Sequence, residues 1–64
     1  MDLRQLGHLL AVVEHRSFSA AARALHTVQS NVSTHVAKLE KELGAVLIDR
    51  HSMQPTAEGL AVVE

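Results

Sequence analysis

The sequence predicts a small, mainly α-helical domain, and three observations carry that reading. Leucine and valine recur at spacings of three and four along two separate segments. A short alanine-rich run, "AAARAL", lies between them. Gly44 and Pro55, residue types that end or interrupt helices, fall outside all of these segments.

The elements follow in order. Leu3, Leu6, Leu10 and Val13, with Leu9 beside them, trace one face of a first helix over about 2–15. Asp2 lies at its start, where a negative charge suits the helix dipole. "RSFS" interrupts the pattern; Ser19 is the N-cap candidate for the second helix, and Ser17 the alternative. Phe18, the one aromatic residue, is assigned to the core. Residues 20–25 form the short second helix, whose small side chains let another helix approach closely. "HTV" must then turn without glycine, and His26 is the candidate, since histidine is enriched at positive φ. Thr27 can cap the helix beyond the turn.

A third helix spans about 28–43. Its apolar residues Val32, Val36, Leu39 and Leu43 fall within about 60° on a helical wheel. Gly44 is its stop. "AVLID" is short, apolar and partly β-branched, hence a short strand, and "RHSMQ" is a loop. Pro55 precedes Thr56, an N-cap for "TAEGLAVVE", the opening of a fourth helix. Leu60, Val62 and Val63 have no visible place to pack, so that helix reads as truncated.

Bulk properties narrow the function. Sixty-four residues make one domain, which at this size buries only about 60% of its unfolded surface. The 47% apolar content argues against disorder. There is no cysteine, so no disulfide and no thiolate metal site, which fits a cytoplasmic location. No apolar run approaches the ~18 residues of a membrane span, and "MDLRQLGHLL" is a poor signal peptide. The formal net charge of −1 does not announce a nucleic-acid binder. Histidines at 8, 15, 26, 35 and 51 lack the i, i+4 pairing of a helical metal site and read as solvated or turn-stabilising. Gly7, Gly44 and Gly59 are isolated and make no phosphate loop. No catalytic residue, metal or cofactor is expected, and an enzyme is rejected.

A short helix, a tight turn and a longer amphipathic helix make a helix-turn-helix, and the strand–loop behind it makes the pattern winged. The third helix then shows a division of labour. Ser30, Thr34, Ala37 and Lys41 point away from its apolar face, with Asn31 and Lys38 on one shoulder and Gln29 and Ser33 on the other. Neutral hydrogen-bonding groups crowd its first turns and lysines its second half. Such a helix fits a DNA major groove N-terminus first. Glutamine can bond adenine N6 and N7, serine or threonine can serve base or phosphate, and lysines release counterions. Glu40 and Glu42 cancel Lys38 and Lys41, so affinity from one copy should be modest. Polar residues also cap and solvate helix starts, so a protein-binding helix-turn-helix remains the alternative. His35 and His51, if protonated, are candidates for phosphate, and binding would then tighten as pH falls.

"MDLRQL", "SFSAAARALH", "VQSNVSTHVAKLEKELGAVLIDR" and "PTAEG" together resemble the N-terminal domain of LysR-type transcriptional regulators over essentially the whole chain. The resemblance implies a winged helix-turn-helix of three core helices, a short strand–loop wing and the start of a fourth, linker helix. It implies a DNA-binding domain over 1–58, a truncated linker and dimerisation helix from 56–64, and an effector-binding domain beyond. Double-stranded DNA is the implied partner, with a homodimer or higher oligomer formed through the linker helix. Any small-molecule effector belongs to the absent domain. Gln29 resembles the family's base-reading glutamine and Ser33 a groove-facing serine beside it. Ser30 stands where proline is frequent and Thr34 where arginine is frequent; both are base-contact candidates. Ser19, Arg23, Thr27 and Lys38 are candidates for backbone contact. Val28 replaces the usual serine or threonine cap, moving that role to Thr27. Only "HSMQP" separates Arg50 from Thr56, a short wing without lysine or arginine, which leaves Arg50, His51 and Gln54 as wing candidates.

Overall fold

In a computed structural model, residues 2–63 are described. The order is α1 (Leu3–His15), α2 (Phe18–Ala24), α3 (Gln29–Leu43), β1 (Ile48–Asp49), β2 (Gln54–Pro55) and α4 (Ala57–Val63). β1 and β2 pair antiparallel, Ile48 opposite Pro55 and Asp49 opposite Gln54. The mainly helical architecture with a small wing is the one expected.

Local chemistry explains each boundary. Asp2 caps α1, its carboxylate accepting from the Gln5 N–H at 2.8 Å. Arg16 closes α1 in the left-handed region at φ 54°. Ser17, the alternative cap, is the actual one for α2, accepting from Ala20 N–H at 3.1 Å. Ser19 sits inside the helix, where its hydroxyl bonds that of Ser17 at 3.1 Å. His26 takes the glycine-free turn with φ 57°, as its residue type suggests. Gly44 ends α3 at φ 68°; its N–H reaches the Lys41 carbonyl while Ala45 N–H reaches that of Glu40, a Schellman closure.

The core is drawn from helices α1, α2 and α3 and from the segment that opens the wing. Leu9 and Val12 of α1, Ala21 and Ala22 of α2, Val32, Val36 and Leu39 of α3, and Leu47 and Ile48 meet as one cluster. The leucine stripe read from the first helix is therefore rotated. Leu3 is 87% exposed and Leu10 42%, while Leu9 and Val12 are fully buried and His8 lies beside them at 9%. Two apolar stripes overlap on this helix, and contact with α2 and α3 selects the second. Leu43, 42% exposed, also falls outside the core. Val62 and Val63 do find packing, lying half-buried against the cluster, whereas Leu60 stays 45% exposed.

The first strand is shorter than the apolar run "AVLID". Residues before Ile48 bond to other partners: Val46 carbonyl accepts the Thr56 hydroxyl, and Leu47 carbonyl accepts Thr56 N–H at 3.0 Å. Thr56 Oγ1 in turn accepts Gly59 N–H at 3.1 Å, capping α4. This seats α4 hard against the backbone of Leu47. A Cβ on Gly59 would lie 2.1 Å from the Leu47 carbonyl oxygen. Gly59→Ala should therefore destabilise the domain by about 1–3 kcal/mol, read as a lower midpoint in urea at unchanged slope.

Candidate nucleic-acid interface

Most polar side chains at the start of α3 make no hydrogen bond among the described residues. Val28 is its N-cap and contributes no side-chain bond; its carbonyl accepts from Asn31 and Val32 N–H at 3.1 and 3.3 Å. The expected capping by Thr27 does not occur. Its hydroxyl oxygen instead accepts from Asn31 Nδ2 at 2.9 Å, pinning that side chain across the first turn. The N–H groups at the tip of α3 are thus left without a side-chain cap, a favourable end for an anion.

Gln29, Ser30, Ser33 and Thr34 are all exposed, and none makes a side-chain hydrogen bond among the described residues. Behind them Val32, Val36 and Leu39 are fully buried, so the helix cannot rotate to hide its polar edge. Lys38 and Lys41 are exposed on the second half, without an ion pair among the described residues. Before α3, Arg23 is exposed near the end of α2 and Thr27 half-buried in the turn. The turn joins them closely, through His26 N–H to the Arg23 carbonyl at 3.2 Å and Thr27 N–H to that of Ala22 at 2.9 Å. Ser19 is exposed in the first turn of α2.

Arg50 is not free in the way the sequence suggests. Its guanidinium grips Glu40 through Nη2 to Oε1 at 2.9 Å and Nη1 to Oε2 at 3.1 Å. Nη1 also donates to the Ile48 carbonyl at 2.9 Å, and the group lies 5.3 Å above the centre of the Phe18 ring. Glu40 Oε2 accepts Leu47 and Ile48 N–H as well, at 2.7 and 3.3 Å. α3, the wing and the start of α2 are thereby joined at one carboxylate. The pairing also changes the charge of α3: Glu40 is neutralised internally and no longer offsets the exposed lysines.

The wing is closed by its own carboxylate. Asp49 Oδ1 accepts His51 and Ser52 N–H at 2.8 and 3.3 Å, and these bonds hold its pKa below the usual value. Met53 completes the turn at φ 58° and tucks against the core. His51 is exposed at the tip, and Gln54 is exposed on β2. His35, expected among phosphate contacts, turns inward instead. Its ring meets that of buried His8 with centroids 4.3 Å apart. Sequence reading missed this pair because it ranked the leucine stripe above the face containing His8.

A three-helix core, a two-strand wing and an outward-facing helix of unspent hydrogen-bonding groups define a winged helix-turn-helix domain. The chain belongs to the lysR family of bacterial regulatory helix-turn-helix proteins, whose pattern it matches over residues 3–60. It is 42% identical over 66 aligned positions to a hydrogen peroxide-inducible genes activator of Pectobacterium carotovorum subsp. carotovorum, covering all of this chain and 22% of that protein. It is 39% identical, with the same coverage, to the DNA-binding transcriptional dual regulator OxyR of Escherichia coli K12. An HTH-type transcriptional regulator CysB of Thiocapsa roseopersicina shares 54% over 52 positions, 80% of this chain and 38% of the other. The chain thus spans about a fifth of the length of the first two relatives. Its fold matches the crystal structure of the BenM DBD in complex with benA site 1 DNA at TM-score 0.89 and 41% identity, covering 95% of this chain and 71% of that one.

The Glu40 junction yields a pH prediction. Burial opposes the Glu40 charge, but the Arg50 bond and the Leu47 and Ile48 N–H groups overcome it and lower the pKa below 4.5. A carboxyl lowered in the folded state stabilises above its ordinary pKa and loses that contribution as pH falls through the folded value. Glu40→Gln should therefore cost stability at neutral pH, about 1–3 kcal/mol. The gap to wild type should close in acid, measured as thermal midpoints across pH.

Proposed function

We propose that this chain binds double-stranded DNA sequence-specifically, with α3 in the major groove, as the DNA-binding part of a bacterial transcription regulator. The observation that carries the reading is the first half of α3: four exposed side chains with open donors and acceptors, on a helix whose opposite face is locked in the core. Gln29, Ser30, Ser33 and Thr34 are the proposed base contacts. Ser19, Arg23, Thr27, Lys38 and His51 are proposed at the phosphates, where they set register rather than sequence. Arg50 holds the wing in place rather than reaching outward. The likeness to a domain crystallised with DNA supports the docking mode.

Residues 1–58 would form the DNA-binding unit, and 56–64 would open a linker helix that pairs two subunits. A two-fold dimer would set its α3 helices ~34 Å apart on a near-palindromic site. Recognition of a small effector would lie in a further domain. Among the described residues no helix is long and apolar enough to cross a membrane, in keeping with action in the cytoplasm.

A helix-turn-helix used to hold another protein is the competing function, and salt separates the two. Duplex binding should weaken steeply and log-linearly with salt, which a neutral protein interface would not show. Gln29→Ala should weaken a selected site by about 1–3 kcal/mol while hardly touching random duplex. Equal losses on both duplexes would remove base reading by this residue. Lys38→Ala should weaken both alike and lower the salt slope by about one.

A further inference from the structure

We propose that His35 positions the reading edge of α3 through its contact with His8, and that this contact holds only while the His35 ring is neutral, so that DNA binding weakens as the pH falls. The inference rests on the DNA-binding function proposed above. His8 lies in α1 and is buried at 9% exposure. Its Nδ1 stands 2.6 Å from the Arg4 carbonyl, an acceptor only, so that nitrogen carries a proton and the ring is held in one orientation. His35 extends from α3 onto that ring, 4.3 Å between centroids and tilted by 37°. It directly follows Ser33 and Thr34 in sequence and precedes Lys38 by less than a turn. α1 and α3 form the most extensive helix contact in the domain, and the pair sits within it.

The surroundings oppose a positive charge on His35. Its Nδ1 is buried without a hydrogen-bond partner among the described residues, so a proton placed there would meet no acceptor among them. Among the described residues, His8 and Arg4 from α1 and Lys38 from its own helix face it and oppose a charge there, while Asp2 favours protonation. Burial, then these charges, lower the His35 pKa below 6.5. A histidine lowered in this way stabilises the fold above its ordinary range, and that contribution drains as pH falls through it. Protonation would be relieved by swinging the His35 ring away from His8. The α1–α3 contact would loosen beside Thr34, and the edge that meets the bases would lose its fixed position.

The sign distinguishes this from ordinary histidine chemistry. Positive charge gained by a histidine at a DNA interface would instead favour the polyanion and tighten binding. Affinity for a duplex selected from random sequence should be measured at about pH 8 and about pH 5 at constant ionic strength. Wild type, His35→Gln and His8→Phe are compared, with the His35 ring followed by NMR in the free protein. Wild type should weaken several-fold on acidification. Both variants lack the paired rings, so each should bind more weakly than wild type at the higher pH and hold or tighten rather than weaken at the lower one. The His35 ring should titrate below an exposed histidine, with loss of its contact shifts to His8. Wild-type binding that stays flat or tightens in acid would overturn the proposal, as would variants that weaken as wild type does. Absence of duplex binding at either pH would overturn the DNA-binding function itself. In that case an ordinary His35 titration would separately show that the pair is no proton-sensitive joint.

Discussion

The fold depends on one carboxylate. Glu40 accepts two backbone N–H groups from the segment beyond α3 and both terminal nitrogens of Arg50. A carboxylate that is only 14% exposed is stable only if its lone pairs are met, and here four donors meet them. The result is a geometric constraint rather than a surface ion pair. The chain cannot leave Gly44 in another direction without stranding the charge. Through the Arg50 stack on Phe18, the same junction also reaches the start of α2. Small domains of this length have little core to spare, so a polar junction that fixes three elements does what a larger core would do elsewhere.

That constraint explains why the wing can be so short. Here Asp49 closes the turn on itself, Met53 anchors it inward, and Thr56 ties the return to Val46 and Leu47. The wing's one arginine is used internally. The wing therefore serves more to hold α4 against Leu47, at the close approach permitted by Gly59, than to extend a charged surface.

Much of this was legible in the residues. The apolar period of α3, the glycine at its end and the left-handed histidine in the turn each arise from backbone chemistry local to a few positions. What failed was non-local. The choice between two overlapping stripes in α1 depends on which neighbours it meets, and helical period alone cannot rank them. The two-residue strand arises because a side chain seven positions upstream takes the N–H of Leu47. Likewise, Thr27 and Val28 divide the N-cap differently than propensity suggests, because Asn31 competes for the threonine hydroxyl. The outward edge of α3 was readable because the sequence itself separates it from the buried face. The histidine pair was not, since it joins two helices far apart in the chain.

These internal commitments shape how such a domain would recognise DNA. With Arg50 bound to Glu40, the cations offered by α3 itself are Lys38 and Lys41, on its second half. The half proposed to meet the bases is neutral. Contacts of that kind discriminate by satisfying or stranding donors and acceptors at base edges, and they contribute little long-range attraction. A neutral edge tolerates no error in placement, because a misaligned hydrogen bond costs more than it returns once water is expelled. Precision must therefore come from beneath the helix, from Val32, Val36 and Leu39, from the Glu40 junction at one end and from the histidine contact near the other. Affinity must come from elsewhere, and a second copy on the same duplex is the least demanding source, since it doubles the phosphate contacts without altering the edge that reads.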